Sequence, residues 1–123
     1  MTFELSQRFY FEAAHTLRRK IDAQGSLRIH GHTYHAEVTI AGMPDPATGM
    51  MMDLAYVRQE VEKVRSQLDH HFLDEVAGLG PATLENLCLF VHTQLKDTLP
   101  NLVRVVVERP ASGDRCCLRV PQS

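Results

Sequence analysis

Between Phe3 and Phe11 apolar and polar residues alternate, with Phe3, Leu5, Phe9 and Phe11 on one side and Gln7 as the interruption. A period of two is that of a strand with one buried face. The same period returns from about Ile29 to Ala41, where Tyr34, Ala36, Val38 and Ile40 oppose His35, Glu37 and Thr39. The polar, basic stretch from Arg18-Arg19-Lys20 to Gly25-Ser26 reads as the loop between them. Met43-Pro44-Asp45-Pro46 and Thr48-Gly49 are turn chemistry. The period then changes. Leu54, Val57, Val61, Val64 and Leu68 predict an amphipathic helix over 54–68, with Asp53 as its cap. Asp69 to Pro81 reads as a loop. Thr83 caps a second helix with Glu85 in its first turn; Leu87, Phe90, Val91 and Leu95 form its stripe, and Pro100 stops it. Leu102 to Glu108 is almost wholly apolar, as in a strand covered on both faces. Pro110 to Asp114 reads as a turn and Cys116 to Val120 as the last strand. The order strand-strand-helix-helix-strand-strand predicts an α+β domain, with a four-stranded antiparallel sheet and both helices on one face. The two sheet edges then need covering or pairing, and oligomerisation is one solution.

Composition narrows the class. The chain has 123 residues, 44% hydrophobic and 23% charged, which suits a single globular domain over 1–123. A formal net charge of −2 lacks the basic footprint of a nucleic-acid or anionic-membrane binder. No apolar run approaches the roughly 18 residues needed to cross a membrane. Three Cys in no framework spacing, and no signal-peptide pattern after Met1-Thr2-Phe3-Glu4, point to a reducing, cytoplasmic setting. Cys88 falls near the apolar stripe of the second helix and reads as core. Adjacent Cys116 and Cys117 fall on opposite faces of a strand. The outlier is histidine, with seven copies and no Trp.

His30-Gly31-His32 sits at the start of the second strand. Residues two apart on a strand point the same way, so both imidazoles can face one metal. His15 ends the first strand in Phe11-Glu12-Ala13-Ala14-His15, and antiparallel pairing brings it to the same point. Three neutral imidazoles leave one tetrahedral position open, as in a catalytic zinc site; imidazole also suits other divalent metals. On spacing alone, a polar patch at a strand end fits equally. Asp69-His70-His71 follows the first helix. Cationic His is favourable at a helix C-terminus, while Asp69 orienting one His would make an acid–base pair. Glu108 ends the run Val105-Val106-Val107, where it either reaches solvent or accepts two parallel hydrogen bonds from an N–H/NH₂ edge.

Taken together, these motifs resemble the 6-pyruvoyl-tetrahydropterin synthase family, which includes bacterial 6-carboxytetrahydropterin synthase of the queuosine pathway. The resemblance spans about Phe9 to Glu108 and also takes in Asp45-Pro46 through Thr48-Gly49 to Asp53, and Thr83 with Glu85-Asn86. It implies the tunnelling fold (T-fold) and a hexamer built from two trimers, with active sites at subunit interfaces. It implies Zn²⁺ on His15, His30 and His32, Asp69 and His70 as the acid–base pair, and Glu108 anchoring a pterin ring near Thr83 and Glu85. The implied activity is a zinc-dependent lyase on 7,8-dihydroneopterin triphosphate, most like 6-carboxytetrahydropterin synthase, with 6-pyruvoyl-tetrahydropterin synthase as the alternative. Leu68-Asp69-His70-His71, the short chain and the lack of a targeting extension lean toward the former. The Arg18-Arg19-Lys20 loop could attract the triphosphate or simply be solvated. One position departs from the family. Four residues before His30, where such enzymes usually carry Cys and some carry Glu, stands Ser26. A Ser hydroxyl needs a strong partner base. Ser26 therefore relays a proton to His70, another group replaces it, or the chain is a redirected or non-catalytic pterin-binding paralogue. Leu84 is a smaller departure, at a position where the family often has Thr or Ser.

Overall fold

A computed structural model describes residues 1–16 and 28–122. Ser26 and the Arg18-Arg19-Lys20 stretch lie outside the described residues. The elements are β1 (Phe3–His15), β2 (His30–Gly42), α1 (Leu54–Leu68), a 3₁₀ turn (Leu73–Glu75), α2 (Leu84–Leu95), β3 (Leu102–Arg109) and β4 (Asp114–Arg119). The sheet order is β1-β2-β3-β4, antiparallel throughout. This is the expected α+β order, with the helices against one face.

Strand parity decides what each residue meets. Phe9, Phe11, Ala13 and His15 of β1 and Tyr34, Ala36, Val38 and Ile40 of β2 are buried on the helix side. The Phe11 and Tyr34 rings stack there with centroids 4.9 Å apart. The helices supply the opposing layer through Val57, Val61, Val64 and Leu68 of α1 and Leu84, Leu87, Val91 and Leu95 of α2. Fully burying a side chain of this size contributes about 1.5–3 kcal/mol. Both expected caps form: Asp53 Oδ1 accepts from the Ala55 N–H at 2.8 Å, and Thr83 Oγ1 from the Asn86 N–H at 3.1 Å. Cys88 is buried between α2 and the sheet, where burial pushes its thiol up to about 12. Cys116 packs on the core, and Cys117, paired with Val106, faces the other way.

Two local expectations change. Phe3 is 55% exposed, because its strand partner is Gly42 at the far end of the sheet, beyond the core cluster. The β3 run is not sandwiched between layers. Val105 and Val107 face the helices, whereas Val106 lies on the open face, buried between its neighbours Glu37 and Cys117. Among the described residues, no helix is long and apolar enough to cross a membrane.

Candidate metal centre and adjoining groove

β1 ends where β2 begins. The register pairs His15 with His30 and Ala13 with His32, so parity turns three rings toward one point at the end of the sheet. One ligand atom from each lies within 4.8 Å of the other two. Ring centroids are 4.4 Å apart for His15–His30, 4.9 Å for His15–His32 and 5.0 Å for His30–His32. Gly31 is not required by the strand pairing, since a Cβ there would meet only the Ala13 carbonyl, at 3.6 Å.

Backbone carbonyls fix the ring nitrogens. His30 Nδ1–H donates to the Arg28 carbonyl at 2.8 Å, and His15 Nδ1–H to the Thr16 carbonyl at 3.4 Å. Nε2 is left as the lone-pair nitrogen in each. His15 is fully buried, and its Nε2 finds no hydrogen-bond partner among the described residues. Burial, aided by His30, pushes His15 down to about 4, so the ring is neutral near pH 7. A buried, neutral nitrogen with no partner among the described residues, beside two further imidazoles, fits a divalent cation, and three imidazole ligands leave a tetrahedral position open. The exit from His15 is tied by Asp74 of the 3₁₀ turn, which accepts from the Thr16 N–H at 2.9 Å and from its hydroxyl. Burial opposes ionisation of Asp74, but these bonds outweigh it and hold its carboxyl below the ordinary value.

The segment after α1 attaches to the outer edge of β1 beside this cluster. The His70 N–H donates to the Glu12 carbonyl at 2.6 Å and the Ala14 N–H to the His71 carbonyl at 3.2 Å, with a parallel bridge between Ala14 and Phe72. Asp69 Oδ1 accepts from the Glu12 N–H at 2.9 Å, and its Oδ2 lies 2.8 Å from His70 Nδ1. The Glu12 N–H, followed by His70 and Arg65, holds the Asp69 carboxyl below its usual range against the effect of burial. His70 takes φ 58°, the only non-glycine residue at positive φ among those described. That is an uncommon conformation for a residue with a Cβ, held here by the backbone bonds on either side.

His70, His71 and His32 line a groove of about 520 Å³ together with Glu12, Thr33 and Phe72. Of the cluster His32 alone borders this groove, and of the Asp69–His70 pair His70 alone. Glu108 does not reach it. Glu108 pairs with His35, three residues and one parity step from His32, and lines a second groove of about 440 Å³ with Arg8, Tyr10, Glu37 and Arg115 on the open face. Thr83 serves as the α2 cap, and Glu85 lies in the first turn of that helix; neither lines these grooves. Sequence reasoning gave no role to Glu12, Asp74 or Arg65. Only Glu12, inside the Phe11-to-His15 motif, carried any signal.

With this geometry in view, the comparisons are specific. The family model for 6-pyruvoyl tetrahydropterin synthase matches residues 4–119, and the chain belongs to that family. It is 34% identical over 111 residues to the 6-pyruvoyl tetrahydrobiopterin synthase of Homo sapiens, covering 79% of this chain and 77% of that one. It is 31% identical over 106 residues to the 6-carboxy-5,6,7,8-tetrahydropterin synthase of Synechocystis sp., covering 80% of each. The solved 6-pyruvoyl tetrahydropterin synthase of Caenorhabditis elegans superposes with a TM-score of 0.85 over 98% of this chain and 97% of that one, at 24% identity. That likeness establishes the shared T-fold.

Proposed function

We propose that this protein is a zinc-dependent lyase acting on 7,8-dihydroneopterin triphosphate, most like 6-carboxytetrahydropterin synthase. The observation that carries the reading is the buried Nε2 of His15, which has no hydrogen-bond partner among the described residues and is gathered with His30 and His32, the last of which borders the groove that His70 lines. A zinc ion on these three rings would supply Lewis acidity toward a side-chain hydroxyl. The chain's own groups do the rest. Asp69 holds Nδ1–H of His70, leaving Nε2 as the base toward the groove. His70 takes the carbon-bound proton beside that hydroxyl and returns it to the pterin ring. Triphosphate elimination or side-chain cleavage follows.

Glu108 anchors the pterin ring in this reading, with Thr83 and Glu85 near it, and Ser26 stands at the usual Cys position. By strand parity the Glu108 side chain and the rings of His15, His30 and His32 leave opposite faces of one sheet, so one copy of the chain does not join them. A homohexamer of two trimers would join them by bringing the open face of one copy to the cluster of another. Leu68-Asp69-His70-His71 favours the 6-carboxytetrahydropterin product. The 34% identity to the human enzyme favours 6-pyruvoyl-tetrahydropterin as the second reading. Incubation of the zinc-loaded protein with 7,8-dihydroneopterin triphosphate, read by mass spectrometry, separates the two. Absence of both products, with no gain in Ser26→Cys, would leave a pterin-binding role and overturn the lyase reading. Turnover that appears only in Ser26→Cys identifies a redirected paralogue.

A further inference from the structure

Arg65 occupies the last turn of α1, one turn before Asp69. All three of its donor nitrogens are engaged. Nε donates to the Tyr10 carbonyl at 2.7 Å, Nη2 lies 3.2 Å from Asp69 Oδ2, and Nη1 lies 3.4 Å from Glu62 Oε1. The guanidinium carbon sits 5.5 Å from the centroid of the Tyr10 ring. The next outward backbone groups along β1, those of Glu12, are the ones that grip Asp69 and His70. Arg65 thus holds both the strand and the carboxylate that the strand positions. Its contact to Asp69 is on Oδ2, the oxygen that also meets His70.

We propose that Arg65 is a positioning residue for the reaction: through its fork between the Tyr10 carbonyl and Asp69 Oδ2, it sets the place of the carboxylate that orients His70. This rests on the reading of Asp69 and His70 as the acid–base pair. A cation in the last helical turn commonly does no more than complement the helix dipole. A dipole partner needs neither the strand carbonyl nor this oxygen, and Arg65 has both. Lysine cannot reproduce the arrangement, because one ammonium cannot span two acceptors as a planar fork does. The charged or titratable groups around Asp69 are Arg65 with Glu62 behind it on α1, Tyr10 and Glu12 on β1, and His70 and His71 on the turn. The Glu12 N–H favours the ionised carboxylate most, burial opposes it, and His70 and then Arg65 add to the first.

The test compares Arg65→Met, Arg65→Lys and Asp69→Ala in zinc-loaded protein, with substrate kinetics across pH and NMR titration of the Asp69 carboxyl carbon. Arg65→Met is expected to lower kcat on the order of a hundredfold, as small misplacements of catalytic groups do, with KM within about twofold. The Asp69 titration and the acid limb of the rate profile are expected to move to higher pH together. Arg65→Lys keeps the charge, so its acid limb stays near that of wild type while kcat falls part of the way. An Arg65→Met variant that only melts earlier, with kcat and the Asp69 titration unmoved, overturns the proposal and leaves a helix-end cation. Full turnover in Asp69→Ala overturns the acid–base reading itself, and the role of Arg65 falls with it. An inactive Asp69→Ala beside an unaffected Arg65→Met overturns the Arg65 proposal alone.

Discussion

Replacing His15 with leucine separates two accounts of its buried ring. The imidazole has no exposed surface, its Nε2 has no partner among the described residues, and its Nδ1 makes one long bond of 3.4 Å. In metal-free protein the unmet nitrogen costs about 1–3 kcal/mol, and the weak bond returns about 0.5 kcal/mol. Leucine, of similar size, removes both. Metal-free His15→Leu should therefore exceed metal-free wild type by about 0.5–2.5 kcal/mol, equivalent to about 2–10 °C in Tm for a chain of this size. Zinc should produce the opposite ranking. At a hundred times its Kd it stabilises wild type by about 2.7 kcal/mol, or about 10 °C, and should leave the variant nearly unmoved. Scanning calorimetry of both proteins, with chelator and with zinc, reads all four states. An equal zinc shift in both proteins would refute the three-histidine centre. A metal-free variant melting well below metal-free wild type would refute the claim that the nitrogen is unmet.

Metal-free wild type should also lose stability on acidification. His15 takes up its proton near pH 4 in the fold but near 6.5 when unfolded, so within that window the unfolded chain binds more protons and stability rises with pH, by about 3 kcal/mol in all. Urea unfolding at pH 7 and pH 4.5 checks this, and His15→Leu should remove most of the difference. Asp69→Asn keeps the shape but puts an amide where the carboxylate accepted from Glu12, Arg65 and His70; turnover should fall by about 10²–10⁴-fold, with the fold retained by circular dichroism. Asp74→Ala frees Thr16 and the strand end behind His15 and should weaken zinc binding by about 10–100-fold in a chelator competition; unchanged affinity would dismiss Asp74 as a support.

The sequence was most informative where burial is one-sided. Tyr34-to-Ile40 and Val57-to-Leu68 carry their face assignments in their periods, because each element has one apolar environment and one polar one. His-x-His was legible for the same reason: parity aims both rings together, and a hairpin register supplies His15. Contacts set by distant register were not legible. That Asp69 would accept from the Glu12 N–H, or Asp74 from Thr16, depends on how a turn after α1 lies against a strand more than fifty residues earlier. Arg65 was hidden differently, since a helix-end arginine looks like any solvated cation until its acceptors are known. Val106 shows the limit of apolar runs: it is buried by neighbouring strands rather than by a second layer, which composition cannot distinguish.

The turn after α1 also limits how the sheet can grow. Tyr10 O, Glu12 N–H and O, and Ala14 N–H are already occupied by Arg65, Asp69, His70 and His71. By strand alternation, the outward-facing residues before Tyr10 are Glu4, Ser6 and Arg8, and the Arg8 carbonyl accepts from Gln7 Nε2 at 3.2 Å. A strand donated by a neighbouring molecule could zip along that short stretch and would then meet the turn as a buffer stop. Sliding two residues further would mean evicting the very segment that carries Asp69 and His70. The same few bonds that aim the acid–base pair would thereby set the stagger between molecules, and loosening them would blur both at once.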